Sequence, residues 1–291
     1  MEGVKNIRIV AVPHDSGHRG WRMGCGPEHL LANGLVEALT AEGREARSEV
    51  LHPESRPPVE VATAFELDGL VSARVREALA GGEFPLVLSG NCNTSVGTLA
   101  GANPEEGLGV VWFDGHADFN TPETTTTGFS DNMGLAIAVG RCWNAMAGGV
   151  PGFRPVAEED VVLAGVREVE PAERRRLAAS KVEVVGADSI RRGGLRVFEE
   201  ALDGLKTRVA RVYVHLDLDV LDPEAVDRAN EFAPKGGLDA GQLEAALGMV
   251  RGRFAVAAAG IASYDPSFDT EGRVLRAALV CAEALTSPSS S

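Results

Sequence analysis

Apolar and polar residues alternate along this 291-residue chain with two different spacings. Short apolar runs that end in polar clusters, as at 110–113 and 212–216, predict strands buried on both faces of a parallel sheet. Segments such as 61–79 instead repeat apolar residues every three or four positions, which predicts amphipathic helices. Strands that alternate with helices predict an α/β fold of three layers, α/β/α, with a mainly parallel sheet in the middle.

The predicted elements follow one another without a linker, so residues 1–285 are predicted to form a single domain. The polar, proline-bearing stretch 47–58 is predicted to be a surface excursion, and the tail 286–291 to be disordered. With 44% hydrophobic residues, the chain has enough apolar side chains for a large core.

Three potential metal ligands follow the strand predicted at 110–113. Asp114, His116 and Asp118 are spaced by two, so an extended backbone would project them to one side. In open α/β sheets, this carboxyl end of a strand is where ligands bind. Taken alone, the pattern is equally compatible with a polar loop that carries a solvated histidine.

A second strand end also carries acidic residues, and it favours the metal site over the polar loop. The strand at 212–216 leads into Asp217 and Asp219, again two apart, and Asp222-Pro223 then ends it. Four carboxylates buried at one apolar sheet end would be very costly unless cations compensate their charge. We therefore predict a site for two divalent metal ions, for which oxygen ligands and an imidazole favour Mn²⁺.

Composition narrows the choice of partners and of compartment. A net charge of −14 disfavours a nucleic-acid surface, because phosphates would be repelled without a basic stripe. The apolar run at 7–13 is too short for a membrane span or a signal peptide. Four cysteines without a C-x-x-C pair are too few for a disulfide scaffold, so the predicted setting is the reducing cytoplasm.

Several blocks of the sequence resemble the arginase/agmatinase family of ureohydrolases. The segment 114–120 is similar to the family's D-x-H-x-D-x-N motif. The other blocks in the family's order are Gly24-Cys25-Gly26-Pro27, Gly165-Val166-Arg167 with Glu173, 217–223, 234–238 and Tyr264-Asp265-Pro266. The resemblance extends over about 12–269 and implies a binuclear manganese hydrolase fold, a small guanidino or amidino substrate, and a homo-oligomer, either trimer or hexamer.

One departure from the family lies in the strand, turn and helix start at 84–97. The family's block there is usually G-G-D-H-S, and counting back from Gly97 places Cys92 at the ligand His. Thiolate is softer than imidazole, so Cys92 as a ligand could shift the preference toward Zn²⁺ or Fe²⁺, or leave one ion weakly held. A branch that resembles Nω-hydroxyarginine hydrolases also carries Cys in this block. A thiol that binds no metal is the alternative.

The block 120–134 resembles the arginase form N-T-P-x-T-T-x-S-G, whose Asn and hydroxyls hold the head of an amino acid. The match implies contacts from Asn120, Thr125 and Thr127 to an α-carboxylate and α-amino group. The family's catalytic His falls on Asp131. Asp131 could replace it only with a pKa well above the ~3.9 of a free Asp, and capping a helix N-terminus is the alternative.

A last departure follows the strand predicted at 254–262. Most relatives carry a Glu where Ser263 falls, and that Glu pairs with the cationic guanidinium. Without it, either the reacting group of the substrate is less cationic, or Asp265 or Glu231 takes over the contact.

These observations predict a binuclear-metal hydrolase that cleaves a C–N bond of a guanidino or modified-guanidino amino acid. Metal-bound hydroxide would attack the guanidino carbon, Asp118 would orient it, and urea or a urea derivative would be released. Agmatinase, arginase or formimidoylglutamase activity proper is the first alternative. A catalytically silent metal-binding homologue with a regulatory or scaffolding role is the second, suggested by the changes at Cys92, Asp131 and Ser263.

Overall fold

The apolar runs of the sequence form strands, and the periodic segments between them form helices. The computed structural model describes residues 6–40, 44–55, 59–103 and 107–287. The strands in this part of the chain are β1 (Ile7–Val12), β2 (His14–Asp15), β3 (His18–Arg19), β4 (Ala46–Val50), β5 (Phe84–Ser89), β6 (Gly109–Phe113), β7 (Val161–Ala164), β8 (Glu183–Val185), β9 (Arg211–Asp217) and β10 (Ala255–Ala262). The helices are α1 (Gly26–Ala32), α2 (Leu35–Leu39), α3 (Glu60–Ala80), α4 (Ser95–Ala102), α5 (Gly134–Ala138), α6 (Asn144–Ala147), α7 (Pro171–Ala178), α8 (Ala187–Gly193), α9 (Arg196–Lys206), α10 (Ala240–Arg253) and α11 (Arg273–Thr286).

Eight of these strands form one sheet in the order β4-β1-β5-β10-β9-β6-β7-β8, and every neighbouring pair is parallel. The short strands β2 and β3 form a separate antiparallel pair beside the first strand. The predicted mainly parallel sheet is therefore confirmed. The last strand of the chain, β10, lies in the middle of the sheet, between β5 and β9.

The three layers follow from the period of two along each strand. Ile7 and Ile9 of β1 pack into one apolar cluster, whereas Val10 and Val12 of the same strand pack into a second cluster. The first cluster includes apolar residues of α9, α10 and α11, and the second includes those of α3 and α4. Because both faces of the sheet are apolar, helices cover both, and the predicted α/β/α architecture is confirmed.

Two predictions about the periphery need correction. Within 47–58, the structure places an edge strand, β4, whose polar side chains suit its position: Arg47 donates to Glu83 at 2.8 Å. The tail predicted to be disordered begins inside α11, where Thr286 is buried and its carbonyl accepts a hydrogen bond from Arg44 at 2.9 Å. The remainder of these two predictions, 56–58 and 288–291, lies outside the described residues.

The sheet also brings the candidate site together. The residues that follow β5, β10, β9 and β6 belong to four neighbouring strands, so their carboxyl ends meet at one edge of the sheet. Across the described segments of the chain, no helix has both the length and the apolar character that crossing a membrane requires.

Candidate metal centre

The carboxyl end of β6 supplies the first group of polar side chains. Asp114 is fully buried, and its two oxygens accept hydrogen bonds from the His116 amide at 2.7 Å and from the Trp112 indole at 2.9 Å. Asp118 follows with a positive φ of 49°, an uncommon conformation for a residue other than glycine. The backbone therefore turns sharply here, with Asp114 anchored at the end of the strand.

The carboxyl end of β9 supplies the second group. The backbone leaves the strand through a 3₁₀ turn, Leu218–Val220, and Asp217 caps this turn by accepting the Asp219 amide at 2.7 Å. Asp219 Oδ1 accepts the Gly115 amide at 2.9 Å, and its Oδ2 lies 3.0 Å from His116 Nδ1. The two strand ends are thus joined directly, as their spacing in the sequence predicts.

These side chains form two clusters of potential metal ligands. Cys92, Asp114 and Asp217 can each offer one atom within 4.8 Å of the others, and so can Asp114, His116 and Asp219. Asp114 belongs to both clusters, as a bridging carboxylate would. Asp118 stands outside both sets, but its Oδ2 is buried and has no hydrogen-bond partner. An unpaired buried carboxylate oxygen beside carboxylate, imidazole and thiol groups fits a pair of divalent cations.

The electrostatics of the cluster explain why it needs cations. Burial, reinforced by the neighbouring carboxylates, raises the pKa of Asp118 and Asp217 well above the usual value, and raises that of Asp114. Burial opposes the charging of His116, but Asp219 and Asp114 outweigh it and raise the pKa of the imidazole. Asp219 keeps a lowered pKa, because His116 and the Gly115 amide overcome its burial. Without cations, Asp114, Asp118 and Asp217 are buried acids that resist ionisation together.

Cys92 lies inside this cluster. Its thiol is 1% exposed and donates to Asp217 Oδ2 at 2.9 Å, and its sulfur lies 3.3 Å from Ser263 Oγ. Burial, with Asp217 and Asp131 nearby, raises the pKa of the thiol well above the usual value. A cation bound here would have to displace the thiol proton, as in other thiolate metal sites.

Asp131 does not cap a helix, which corrects that alternative. It is the first residue of a 3₁₀ turn, Asp131–Met133, whose N-cap is Ser130 without a side-chain cap. Its carboxylate instead accepts the Cys92 amide and, at 2.9 Å, the side-chain amide of Asn91. Burial and then Asp15 raise the pKa of Asp131 to about 8. Asp131, which the resemblance predicts at the family's catalytic His, is thus engaged with the turn that carries Cys92.

A pocket opens over the cluster, with a volume of about 280 Å³. Its lining includes Asp118, Asp131 and Ser263, together with Asn120 and Thr127 of the hydroxyl-rich loop. The structure therefore brings most of the predicted substrate residues together with the predicted metal ligands.

Two predicted substrate residues lie outside the pocket lining. Thr125 faces its own loop, where its hydroxyl accepts the Gly128 amide at 3.0 Å and lies 3.4 Å from the Thr127 hydroxyl. Asp265 is buried, and its Oδ1 accepts both the amide and the hydroxyl of Ser267. Both side chains accept hydrogen bonds within their own turns, which is a common role of Thr and Asp in loops.

Several lining residues were missed by sequence reasoning. Phe129 and Phe232 come from separate loops, and their rings meet at the pocket with centroids 5.6 Å apart. Glu168 and Glu170, which follow β7, also line the pocket. The acidic residues had a usable signal, since they follow the strand next to β6. The aromatic pair had none, because neither loop indicates which other loop it will contact.

Arg167, also after β7, holds the loop that carries Asp219. Its guanidinium donates to the carbonyl of Asp219 at 2.7 Å and to that of Leu221 at 3.1 Å, at the end of the 3₁₀ turn. It also donates to the carbonyl of Pro234 at 2.7 Å. Arg167 therefore braces a loop and stabilises carbonyls that a turn end leaves without partners.

Comparisons with known proteins agree with the family resemblance of the sequence. A family model described as "Arginase family" matches residues 5–287. The chain is 30% identical over 290 residues to an arginase of Bacillus caldovelox, covering 95% of this chain and 96% of that protein. The crystal structure of arginase from Bacillus subtilis superposes with a TM-score of 0.85 at 26% identity, covering 97% and 99% of the two chains. The crystal structure of arginase from Bacillus cereus gives a TM-score of 0.86 at 25% identity, with 97% and 98% covered.

Proposed function

The chain belongs to the arginase family of metal-dependent hydrolases that act on C–N bonds, and on that premise we propose that it hydrolyses a guanidino or modified-guanidino amino acid. The observation that carries the proposal is the pair of ligand clusters that share Asp114, of which His116, Asp217 and Asp219 line the pocket. In the overall reaction, water adds to the guanidino carbon and the bond from that carbon to the alkyl nitrogen breaks. That nitrogen leaves as an amine with an added proton, and urea or a urea derivative is released.

We assign the metal ligands to the two clusters and to Asp118, the carboxylate with an unpaired buried oxygen. One ion would be held by Cys92, Asp114, Asp118 and Asp217, and the other by Asp114, His116 and Asp219. Two divalent ions supply activation of water at neutral pH and compensation of negative charge as the carbon becomes tetrahedral. Mn²⁺ suits the oxygen-rich set, and the thiol of Cys92 leaves Zn²⁺ or Fe²⁺ as alternatives.

The protein's own groups would place the reactants. Asp118 lines the pocket, and its Oδ2 can accept a hydrogen bond from the attacking water and hold the water's proton there. Ser263, also in the lining, offers a neutral hydroxyl where most relatives offer a carboxylate. A neutral contact suits a guanidine that is modified and therefore less cationic. The role of Asp131 as a substitute for the family's catalytic His stays a prediction.

The substrate head is expected at the hydroxyl-rich loop. Asn120 and Thr127 line the pocket, and they can donate hydrogen bonds to an α-carboxylate. The same loop resembles the arginase form, and the turn with Cys92 resembles the Nω-hydroxyarginine hydrolase branch. These two features favour an amino acid over its decarboxylated amine. A homo-oligomer, trimer or hexamer, remains a prediction from the family resemblance.

The test is turnover by the Mn²⁺-loaded protein of arginine, Nω-hydroxyarginine, agmatine and formimidoylglutamate, with urea, hydroxyurea, formamide and the released amine as products. We expect turnover of the two guanidino amino acids, with Nω-hydroxyarginine preferred and agmatine at least about tenfold poorer, since one head-group hydrogen bond contributes about 1 kcal/mol or more. Equal turnover of agmatine and arginine would refute the head-group assignment. Absence of any turnover with both ions bound would favour the silent homologue.

A matched pair of variants sharpens the head-group claim. Thr127→Val is expected to raise KM for the amino acid about tenfold while kcat changes little, because a ground-state contact is lost. Thr126→Val in the same loop is the control, since Thr126 is outside the pocket lining and its hydroxyl donates to Glu170 at 3.5 Å. An equal effect of both substitutions would mean that the loop, rather than the hydroxyl of Thr127, matters.

A further inference from the structure

The turn that carries Cys92 is held by a separate segment of the chain. The carboxylate of Asp131 accepts the backbone amide of Cys92 with one oxygen and the side-chain amide of Asn91 with the other. Next to it, the Ser130 hydroxyl accepts the side-chain amide of Asn93 at 3.1 Å. Three consecutive residues of the turn are thus tied to two consecutive residues of the pocket loop.

The same contacts continue toward the surface. The Asn91 side chain accepts the Ser16 amide at 2.9 Å and donates to Asp15 at 3.3 Å. Asp15 is fully buried and receives two hydrogen bonds from Arg22, at 2.9 and 3.0 Å. The guanidinium of Arg22 is therefore the last of these linked polar groups. The side-chain amide of Asn91 lies between the buried carboxylates of Asp15 and Asp131. Asn91 is held on both sides, so it can serve as a fixed partner of Asp131.

The Asp131 side chain has the acceptor atoms that its contacts with Cys92 and Asn91 require. A carboxylate has two acceptor oxygens and no obligatory donor, so it can bind the Cys92 amide and the Asn91 amide at once. An imidazole has at most one acceptor nitrogen, and it could bind only one of these donors. The packing leaves the turn little room as well: a Cβ on Gly90 would lie 2.3 Å from the His14 carbonyl oxygen.

The position of the turn matters because a thiol has a short reach. The sulfur of Cys is one bond from Cβ, whereas the nearer imidazole nitrogen of a His is two bonds away. A turn that presents Cys must therefore hold its backbone closer to the partner ligands than a turn that presents His. Here the sulfur of Cys92 lies 2.9 Å from Asp217 Oδ2, within the ligand cluster.

We propose that Asp131 is a positioning residue that acts through Cys92: with Asn91 as its partner, it fixes the turn so that the sulfur reaches the metal cluster. The metal-binding part of this inference rests on the proposed function, in which Cys92 is a ligand. The placement of the sulfur itself does not depend on that role and can be measured in the metal-free protein.

The first measurement is the rate at which iodoacetamide alkylates Cys92 in the metal-free protein, followed by mass spectrometry of the Cys92 peptide. In Asp131→Ala the turn loses both contacts, and we expect the rate to rise at least tenfold. Asp131→Asn keeps an oxygen for the Cys92 amide and loses only the contact with Asn91, so an intermediate rate is expected. Asp239→Ala removes a carboxylate that also accepts a backbone amide, at the start of α10 and outside the pocket lining, and should leave the rate unchanged.

The second measurement is the thiolate-to-metal charge-transfer absorption during titration with Co²⁺. Asp131→Ala should need at least tenfold more Co²⁺ to develop this band, Asp131→Asn should need less than Asp131→Ala, and Asp131→His should also weaken the band. Circular dichroism establishes that each variant is folded.

The outcomes distinguish metal binding by Cys92 from positioning of the turn by Asp131. If the parent protein binds Co²⁺ without a thiolate band, Cys92 is not a ligand, and the alkylation rates still decide the positioning role. If Asp131→Ala alkylates and titrates like the parent, the positioning role is refuted. Asp131→His with a retained band and raised turnover would instead assign Asp131 to proton transfer.

Discussion

The two sides of the candidate metal centre differ in what holds their ligands in place. On the side of His116 and Asp219, the holding groups are the backbone and one arginine. The Gly115 amide donates to Asp219 at 2.9 Å, and Arg167 donates to the Asp219 carbonyl at 2.7 Å. These contacts come from backbone amides at the two strand ends and from the guanidinium of Arg167.

On the side of Cys92, the holding groups are side chains, chiefly those of Asp131 and Asn91. This is also the side on which the sequence departs from the family motifs, at both Cys92 and Asp131, whereas the D-x-H-x-D segment that carries His116 is retained. A ligand held by side chains can change together with the side chains that hold it. A ligand held by main-chain amides has fewer independent ways to change.

The largest expected effect comes from the carboxylate that the two sides share. Asp114→Ala removes an oxygen from both ligand clusters, so the protein is expected to lose both ions after desalting, as measured by elemental analysis. Removing this acid should not unfold the metal-free protein, because burial beside Asp219 already opposes its ionisation. Retention of one full equivalent would show that the two clusters bind metal independently.

Cys92→Ser should affect one side alone. A neutral hydroxyl is a weaker ligand than a thiolate, so one of two equivalents is expected to be lost while the ion beside His116 stays. Cys142→Ser provides the control, since Cys142 is also buried but belongs to neither ligand cluster. Unchanged metal content in Cys92→Ser would remove Cys92 from the ligand set.

Arg167→Lys tests the opposite side. A lysine has one nitrogen and cannot bind several carbonyls in the fork that the guanidinium provides, so the loop with Asp219 should loosen. Removing such a supporting group typically weakens metal binding by about 10–100-fold, and we expect this for the ion beside His116, measured by titration calorimetry. Arg208→Lys is the control, because Arg208 also donates to carbonyls, those of Gly204 and Glu159, outside the site. Equal weakening by both substitutions would contradict a specific role of Arg167.

The smallest expected effect is on stability, with metal binding unchanged. His14 lies behind the Cys92 turn, and burial, then His52, lowers the pKa of its imidazole to about 4. The unfolded chain, with a His pKa of about 6.5, binds more protons at His14 between pH 6.5 and 4, so the contribution of His14 to stability falls as pH falls through this window. His14→Gln should therefore gain stability relative to the parent as pH falls, by on the order of 1–3 kcal/mol, in denaturant titrations of the metal-free protein. Parallel pH profiles would contradict it.

The sequence predicted the parts of the molecule that depend on local pattern. Apolar runs indicated the strands, and the acidic residues after 110–113 and 212–216 indicated a site at the carboxyl ends of β6 and β9. The two ends meet because these strands are neighbours in a parallel sheet. The family resemblance was confirmed as well.

Other parts depend on contacts between distant segments, which no local pattern carries. The ring contact between Phe129 and Phe232 joins loops about a hundred residues apart in sequence, and the engagement of Asp131 with Cys92 joins segments that are separate in the chain. The expectation that Asp131 caps a helix failed for this reason: a distant backbone amide was the better donor. The edge strand β4 was missed because an edge strand, exposed on one side, can be as polar as a loop.

The central place of β10 has a consequence for how the protein is made. Until this last strand is synthesised, β4-β1-β5 and β9-β6-β7-β8 have no strand to join them, and the Cys92 turn and the aspartate ends belong to different pieces. The ribosome must deliver residues up to 262 before both pieces can close into one sheet. Metal ions therefore cannot guide the early steps of folding through the complete cluster. Asp114, His116 and Asp219 already lie together in the second piece, whereas the cluster that includes Cys92 forms only when the sheet closes.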